Sequence, residues 1–160
     1  ITGLDPLEVT GVGGNLPIEL LDNKANVIRK AIEVNKPDKN DPIDLLSKIG
    51  GYDIGGMAGV IIGAASCGVP VIVDGFISTV SAIIATMLEP KIKHYIIPSH
   101  SSKEKASKLA SDYLGLQPML NLNMRLGEGS GAVLGFCIVE AATDMNSTMV
   151  TFEDSGVMAI

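Results

Sequence analysis

Seven consecutive residues, Arg125-Leu126-Gly127-Glu128-Gly129-Ser130-Gly131, set a single carboxylate among glycines directly before an apolar segment of helical period. Glycine allows unusual backbone angles and close approach of a ligand, and the amides of a following helix N-terminus accept an anion. A carboxylate held this way by bare backbone is placed for chemistry. The same pattern also describes a strand-to-helix turn with a capping acid, so its meaning depends on the company it keeps.

Three other loops carry residues of the right types. Thr10-Gly11-Val12-Gly13-Gly14-Asn15 precedes a helix, so its amides and hydroxyl suit a phosphate, or form an ordinary glycine turn. It is a poor dinucleotide fingerprint, because Leu16 stands where the third glycine belongs. Asp74-Gly75-Phe76-Ile77-Ser78 offers an Asp that either orients sugar hydroxyls or caps the next helix. Ser99-His100-Ser101-Ser102 lacks the G-x-S-x-G elbow of a serine nucleophile, and Ser101 or Ser102 is expected as a helix N-cap, with His100 a satisfied structural histidine. No matching cluster of Cys or carboxylates accompanies His94 and His100, so no metal site is expected.

The elements that must hold these loops follow from spacing. Pro17 opens a helix with apolar positions Ile18, Leu21, Ala25, Ile28 and Ile32, and Lys24 lies off that stripe. Asp41 and Pro42 start a short helix that ends at Gly50-Gly51. A third helix runs from Asp53 to about Cys67, its interleaved glycines implying close packing on a neighbour. Val69 to Val73 reads as a strand buried on both faces, Ile77 to Leu88 as an apolar helix, and Tyr95 to Pro98 as a second strand. An amphipathic helix over Ser102 to Tyr113 closes at Gly115, and another helix follows Leu126 through Phe136, Val139 and Ala142. The alternation predicts an α/β fold: a three-layer, mostly parallel, Rossmann-like sheet covered by helices, with a C-terminal helix and tail in a smaller helical subdomain. The sheet region spans about 10–125 and the helix and tail about 126–160. Asp74 and Ser99-His100 then fall at the carboxyl ends of strands, where such folds bind ligands.

Composition narrows the partners. The chain has 160 residues, 46% hydrophobic, with 18 Gly, three Phe, three Tyr and no Trp. That is enough to bury a core, yet it lacks aromatic platforms for nucleic acid. A net charge of −6 further excludes phosphate-backbone binding as the main activity, which depends on clustered Lys and Arg. The uncharged run Met57 to Val73 is broken at Gly68-Val69-Pro70 into pieces too short to cross a bilayer. Cys67 and Cys137 are expected to be buried free thiols, and with no apolar leader the expected setting is cytoplasmic. A start at Ile1 instead of Met fits a piece of a longer chain.

Taken together, Thr10 to Leu16, Gly51-Tyr52-Asp53-Ile54-Gly55-Gly56-Met57-Ala58-Gly59, Val69 to Ser78, Ser99 to Ser102 and Arg125 to Gly131 resemble, in order, the nicotinate-nucleotide–dimethylbenzimidazole phosphoribosyltransferase family. The resemblance covers nearly the whole chain, and V-P-V-I-V-D-G-F-I-S and R-L-G-E-G-S-G are its most specific pieces. It implies transfer of the ribose phosphate of nicotinate mononucleotide to a benzimidazole nitrogen, giving α-ribazole 5′-phosphate and nicotinate for the cobalamin nucleotide loop. No metal or other cofactor is implied. A homodimer is.

On this resemblance Glu128 is the general base. Gly13, Gly14, Asn15 and Lys24 hold the substrate's phosphate, with Ser101 or Ser102 nearby. Asp74, Gly75 and Ser78 line the nucleotide pocket, Leu126 lies against the benzimidazole, and Gly127 is a further substrate-binding residue. The family's glycine loop usually reads G-T-G, so Gly13-Gly14-Asn15 loses a hydroxyl contact while Asn tolerates the left-handed turn. The family's chains are about twice as long, so this chain corresponds to their C-terminal portion, with the N-terminal half missing or a separate segment. By itself it is expected to be an incomplete enzyme. The alternative is a non-catalytic nucleotide-binding paralogue or subunit of the same fold.

Overall fold

The computed structural model describes residues 1–13 and 17–156. Eight α-helices and two short strands run in the order α1 (Pro6–Val9), α2 (Leu21–Asn35), α3 (Pro42–Ile49), α4 (Tyr52–Ser66), β1 (Val71–Val73), α5 (Phe76–Leu88), β2 (Ile96–Pro98), α6 (Ser107–Leu114), α7 (Ser130–Thr148) and α8 (Phe152–Ser155) among the described residues. Short 3-10 segments precede α2 and β2. Local chemistry accounts for several boundaries. Asp41 accepts from the amides of Ile43 and Asp44 and Pro42 occupies the first turn, so α3 begins there. Left-handed Gly115 closes α6, with Leu116 N–H donating to Ser111 O and Gly115 N–H to Asp112 O.

The same closure shortens β1. Gly68 is left-handed, and the amides of Gly68 and Val69 donate to Ala65 O and Ala64 O at the end of α4. Pro70 has no N–H to give. Pairing therefore starts at Val71 instead of Val69, and Val71, Ile72 and Val73 lie parallel to Ile96, Ile97 and Pro98. On the far side of β2 the chain at residues 119–120 continues the ladder: Met119 N–H reaches Pro98 O, Leu120 N–H reaches Ser99 O and Ser101 N–H reaches Leu120 O. The expected α/β class holds in its coarser form, a helix-rich fold around a small parallel sheet. A three-layer Rossmann-like sheet does not follow from two three-residue strands.

Side chains of β1 alternate between two sets of helices. Val71 and Val73 join the core formed by Ala58 and Ile61 of α4, residues 82–85 of α5, and Ile92, Ile96, Ala110 and Leu114. Ile72 points the other way, where its Cγ2 would lie 3.5 Å from a Cβ on Gly135 of α7.

Three expectations fail. The glycines of α4 do not make a close-packed seam: nothing lies within 4 Å of a Cβ built on Gly56, Gly59 or Gly63, because α4 packs through Ala58 and Ile61 on another face. Cys67 and Cys137 are free but exposed, the first at the end of α4 and the second on a helix of which only Gly131 and Gly135 are buried. Neither Ser101 nor Ser102 caps α6, which begins at Ser107. The amides of Ser101 and Lys103 instead donate to the carbonyls of Leu120 and Met124, which ties this stretch to the neighbouring chain ahead of α6. Among the described residues, no helix is long and apolar enough to cross a membrane.

Candidate active site

The carboxyl ends of β1 and β2 open onto a cleft of about 650 Å³. Asp74, Gly75, Ser78, Ser102, Leu126, Gly127 and Glu128 all line it, drawn from segments that the sequence singled out separately. Ser101 does not line it. Gly14 and Asn15 lie outside the described residues.

Glu128 sits in an unusual backbone run. Gly127, Glu128 and Gly129 have φ of 82°, 60° and 78°, three left-handed residues in succession. For glycine this conformation is free, whereas for glutamate it costs about 1 kcal/mol or somewhat more. The turn is stapled by Ser130, whose hydroxyl and amide donate to Gly127 O at 2.7 and 3.2 Å. Of the three non-glycine residues with positive φ among the described residues, Lys36, Asn123 and Glu128, only Glu128 lines the cleft, and there the strained residue bears the carboxylate.

Asp74 anchors this turn to the sheet. Its Oδ1 accepts from the backbone N–H of Ala132 at 3.0 Å, in the first turn of α7. Asp74 thus caps a helix, but not the next one: α5 begins at Phe76, and its N-cap residue Gly75 supplies no side-chain cap. The side chain of Ser78 is occupied locally, its hydroxyl donating to Gly75 O.

His100 lies beneath this junction, 4% exposed, with Nδ1 3.2 Å from Ser99 Oγ and 3.8 Å from Asp74 Oδ1. The Ser99 hydroxyl donates to the backbone oxygen of Asp74 at 2.9 Å. Three residues that sequence reasoning gave no role also border the cleft: Asp53, Glu104 and Arg125. Arg125 stood within the Glu128 motif, but Glu104 lay in what read as an ordinary helix. With Asp53, Asp74, Glu104 and Glu128 against one guanidinium, the cleft favours a guest that carries or develops positive charge.

Lys24 stands at the glycine loop, away from the cleft lining. Its Nζ donates to Gly11 O at 2.9 Å and would lie 3.4 Å from a Cβ on left-handed Gly13. Glu104 links loop and cleft, its Oε2 lying 3.0 Å from where a Cβ on Gly11 would stand. Among the described residues no group of His, Cys, Asp and Glu is arranged to hold a metal ion.

A family model described as phosphoribosyltransferase matches residues 1–157. Proteins named nicotinate-nucleotide–dimethylbenzimidazole phosphoribosyltransferase share high identity with the chain: 54% over 149 residues for that of Shigella boydii serotype 18 and 53% for one from Escherichia coli O6:K15:H31. The chain belongs to this phosphoribosyltransferase family. Each match covers 93% of the chain but 41% and 42% of the relative, so the chain spans about two-fifths of the length of these curated relatives and corresponds to their C-terminal part. Among solved structures it is similar to CobT from Thermus thermophilus, with a TM-score of 0.89 and 30% identity over 99% of this chain and 47% of that one. A crystal structure of the phosphoribosyltransferase of the same name from that organism gives a TM-score of 0.86 at 30% identity, covering 99% of this chain and 46% of that one.

Proposed function

We propose that this chain is the C-terminal portion of an enzyme that transfers the phosphoribosyl group of nicotinate mononucleotide to 5,6-dimethylbenzimidazole or a related base, with Glu128 as proton acceptor. In the nucleotide the leaving group is already a pyridinium. Breaking the bond from the anomeric carbon to its nitrogen returns the electron pair to the ring and releases nicotinate with no general acid required. The incoming benzimidazole nitrogen forms the new bond, and its partner nitrogen must lose a proton or the product stays cationic. Glu128 takes that proton. Its charge, with those of Asp53, Asp74 and Glu104, also favours the oxocarbenium-like transition state.

Lys24 and the loop Gly13, Gly14 and Asn15 grip the phosphate, with Ser102 nearer the ribose than Ser101, so that remote binding energy positions the anomeric carbon. Asp74, Gly75 and Ser78 form the nucleotide wall, and Leu126, 79% exposed, meets the benzimidazole with Gly127. We extend the reading to a cytoplasmic homodimer. We also infer that β1 and β2 belong to a larger three-layer, mostly parallel, Rossmann-like sheet over about 10–125, with 126–160 as helix and tail. Its support is the parallel register, the helices on opposite sides of Ile72 and Val73, and one unpaired edge of β1 among the described residues.

The observation that carries the reading is the strained Glu128 at the lip of an acidic cleft, in a chain of this family. The test is to mix the full-length protein with nicotinate mononucleotide and dimethylbenzimidazole and to follow α-ribazole phosphate. Glu128→Gln is expected to cut kcat by roughly 100-fold or more, the range for a positioned base. Undiminished turnover in that variant would remove Glu128 from the proton-accepting role.

A further inference from the structure

We propose that His100 is a positioning residue for the Glu128 carboxylate, acting through the junction between β1, β2 and the first turn of α7. The proposal rests on Glu128 being the proton acceptor. Sequence reasoning read this histidine as a bland structural residue, yet its surroundings are specific. The ring is almost completely buried and is enclosed by backbone from two distant loops. A Cβ on Gly75 would stand 3.5 Å from its Cε1, and one on Gly131 would overlap the ring itself. Gly131 is therefore glycine because the imidazole lies against the start of α7.

Hydrogen bonding sets the ring's proton. Ser99 has a single hydroxyl hydrogen, and it donates that hydrogen to the backbone oxygen of Asp74, which can only accept. The Ser99 oxygen is then an acceptor toward His100, so Nδ1 carries the hydrogen and donates at 3.2 Å. The same Nδ1–H lies 3.8 Å from Asp74 Oδ1, too long for a hydrogen bond but short enough for attraction in a buried setting. That carboxylate oxygen is the one that holds Ala132 N–H. His100 thus acts on both sides of the anchor: its donor steadies Asp74, and its volume sets how closely α7 approaches the sheet. Glu128 lies four residues before Ala132 on the same turn, so its carboxylate inherits that spacing.

Three variants of the full-length protein separate the contributions. Asn retains a donor near the Nδ1 position, Phe retains ring volume without a donor, and Gln supplies neither in place. With nicotinate mononucleotide and dimethylbenzimidazole, His100→Gln and His100→Phe are expected to lose roughly 100-fold in kcat, the scale of an ångström-level misplacement, with KM for the nucleotide within about threefold of wild type. His100→Asn is expected to recover at least about tenfold of that loss. A wild-type kcat in His100→Phe, or a loss confined to KM, overturns the proposal.

Selective ¹⁵N-histidine NMR of the unmodified protein supplies a readout that depends neither on folding of a variant nor on the identity of the base. Hydrogen on Nδ1 of His100 supports the assignment, and hydrogen on Nε2 alone overturns it. If Glu128→Gln keeps full turnover while the His100 tautomer is as stated, the base reading has failed and the junction geometry has not.

Discussion

Asp74, at the end of β1, accepts a hydrogen bond from the backbone amide of Ala132 at 3.0 Å across 58 positions of sequence. A side chain from the sheet therefore caps the helix that follows the Glu128 turn, doing from a distance what an N-cap residue ordinarily does from next door. The residue at the local cap position, Gly129, has no side chain with which to do it.

Removing that oxygen leaves the amide of Ala132 unpaired. Asp74→Ala is expected to lower stability by about 1–2 kcal/mol in urea unfolding, as for loss of a capping acid, while Asp74→Asn, which keeps an acceptor, loses less than half as much. Equal losses in the two variants would show that the charge, not the hydrogen bond, matters.

Position 128 opposes stability and activity. Glu128→Gly relieves the left-handed strain, so unfolding free energy is expected to rise by up to about 1 kcal/mol while turnover falls to background. A thermal melt and a product assay on the same preparation test both halves.

For Lys24→Ala the expected signature is in binding. Loss of a charge-assisted contact of about 1.5–3 kcal/mol raises KM for nicotinate mononucleotide by roughly 10- to 100-fold, with a smaller fall in kcat. An unchanged KM would place the phosphate elsewhere.

Gly131→Ala forces a methyl group onto the His100 ring. The expected loss is about 1–3 kcal/mol of stability, read as a lowered denaturant midpoint, because an already filled space must open.

One acid-range effect follows from Asp5. Its hydrogen bonds from Arg29 and then from the Leu7 amide hold its pKa below the usual carboxylate value of 3.8. The contribution is present above that value and is lost as pH falls toward the lowered folded-state pKa. Asp5→Asn should flatten the stability profile only below about pH 4, and 1 M salt should weaken the effect, since the pair is exposed.

Much of this was legible locally. Asp41-Pro42, the apolar runs Val69 to Val73 and Tyr95 to Pro98, and Gly115 each carry local chemistry, and the structure follows them except that pairing begins at Val71 and Ile96. The glycines around Glu128 permit unusual backbone angles, and the turn uses them. What stayed hidden was pairing between distant segments. Nothing in Asp74-Gly75-Phe76 says that its carboxylate seeks residue 132, and nothing in Gly131 says that a histidine thirty-one residues earlier fills the space where its side chain would be. The stretch before α6 shows the same thing, since the carbonyls that hold Ser101 and Lys103 come from residues 120 and 124. Composition does not set exposure either: α7 is apolar, yet its Val133 and Phe136 are exposed.

The Asp74 to Ala132 bond also has a consequence in time. A ribosome moving at about 5–20 residues per second needs roughly 3 to 12 s to add the 58 positions that separate acceptor from donor. Through that interval β1 already exists as chain and α5 and β2 are added, but the carboxylate after β1 has no Ala132 amide to hold. The reactive turn thus settles only after both strands are made, and a chain stopped between residues 98 and 132 carries β1 and β2 without the carboxylate's anchored seat.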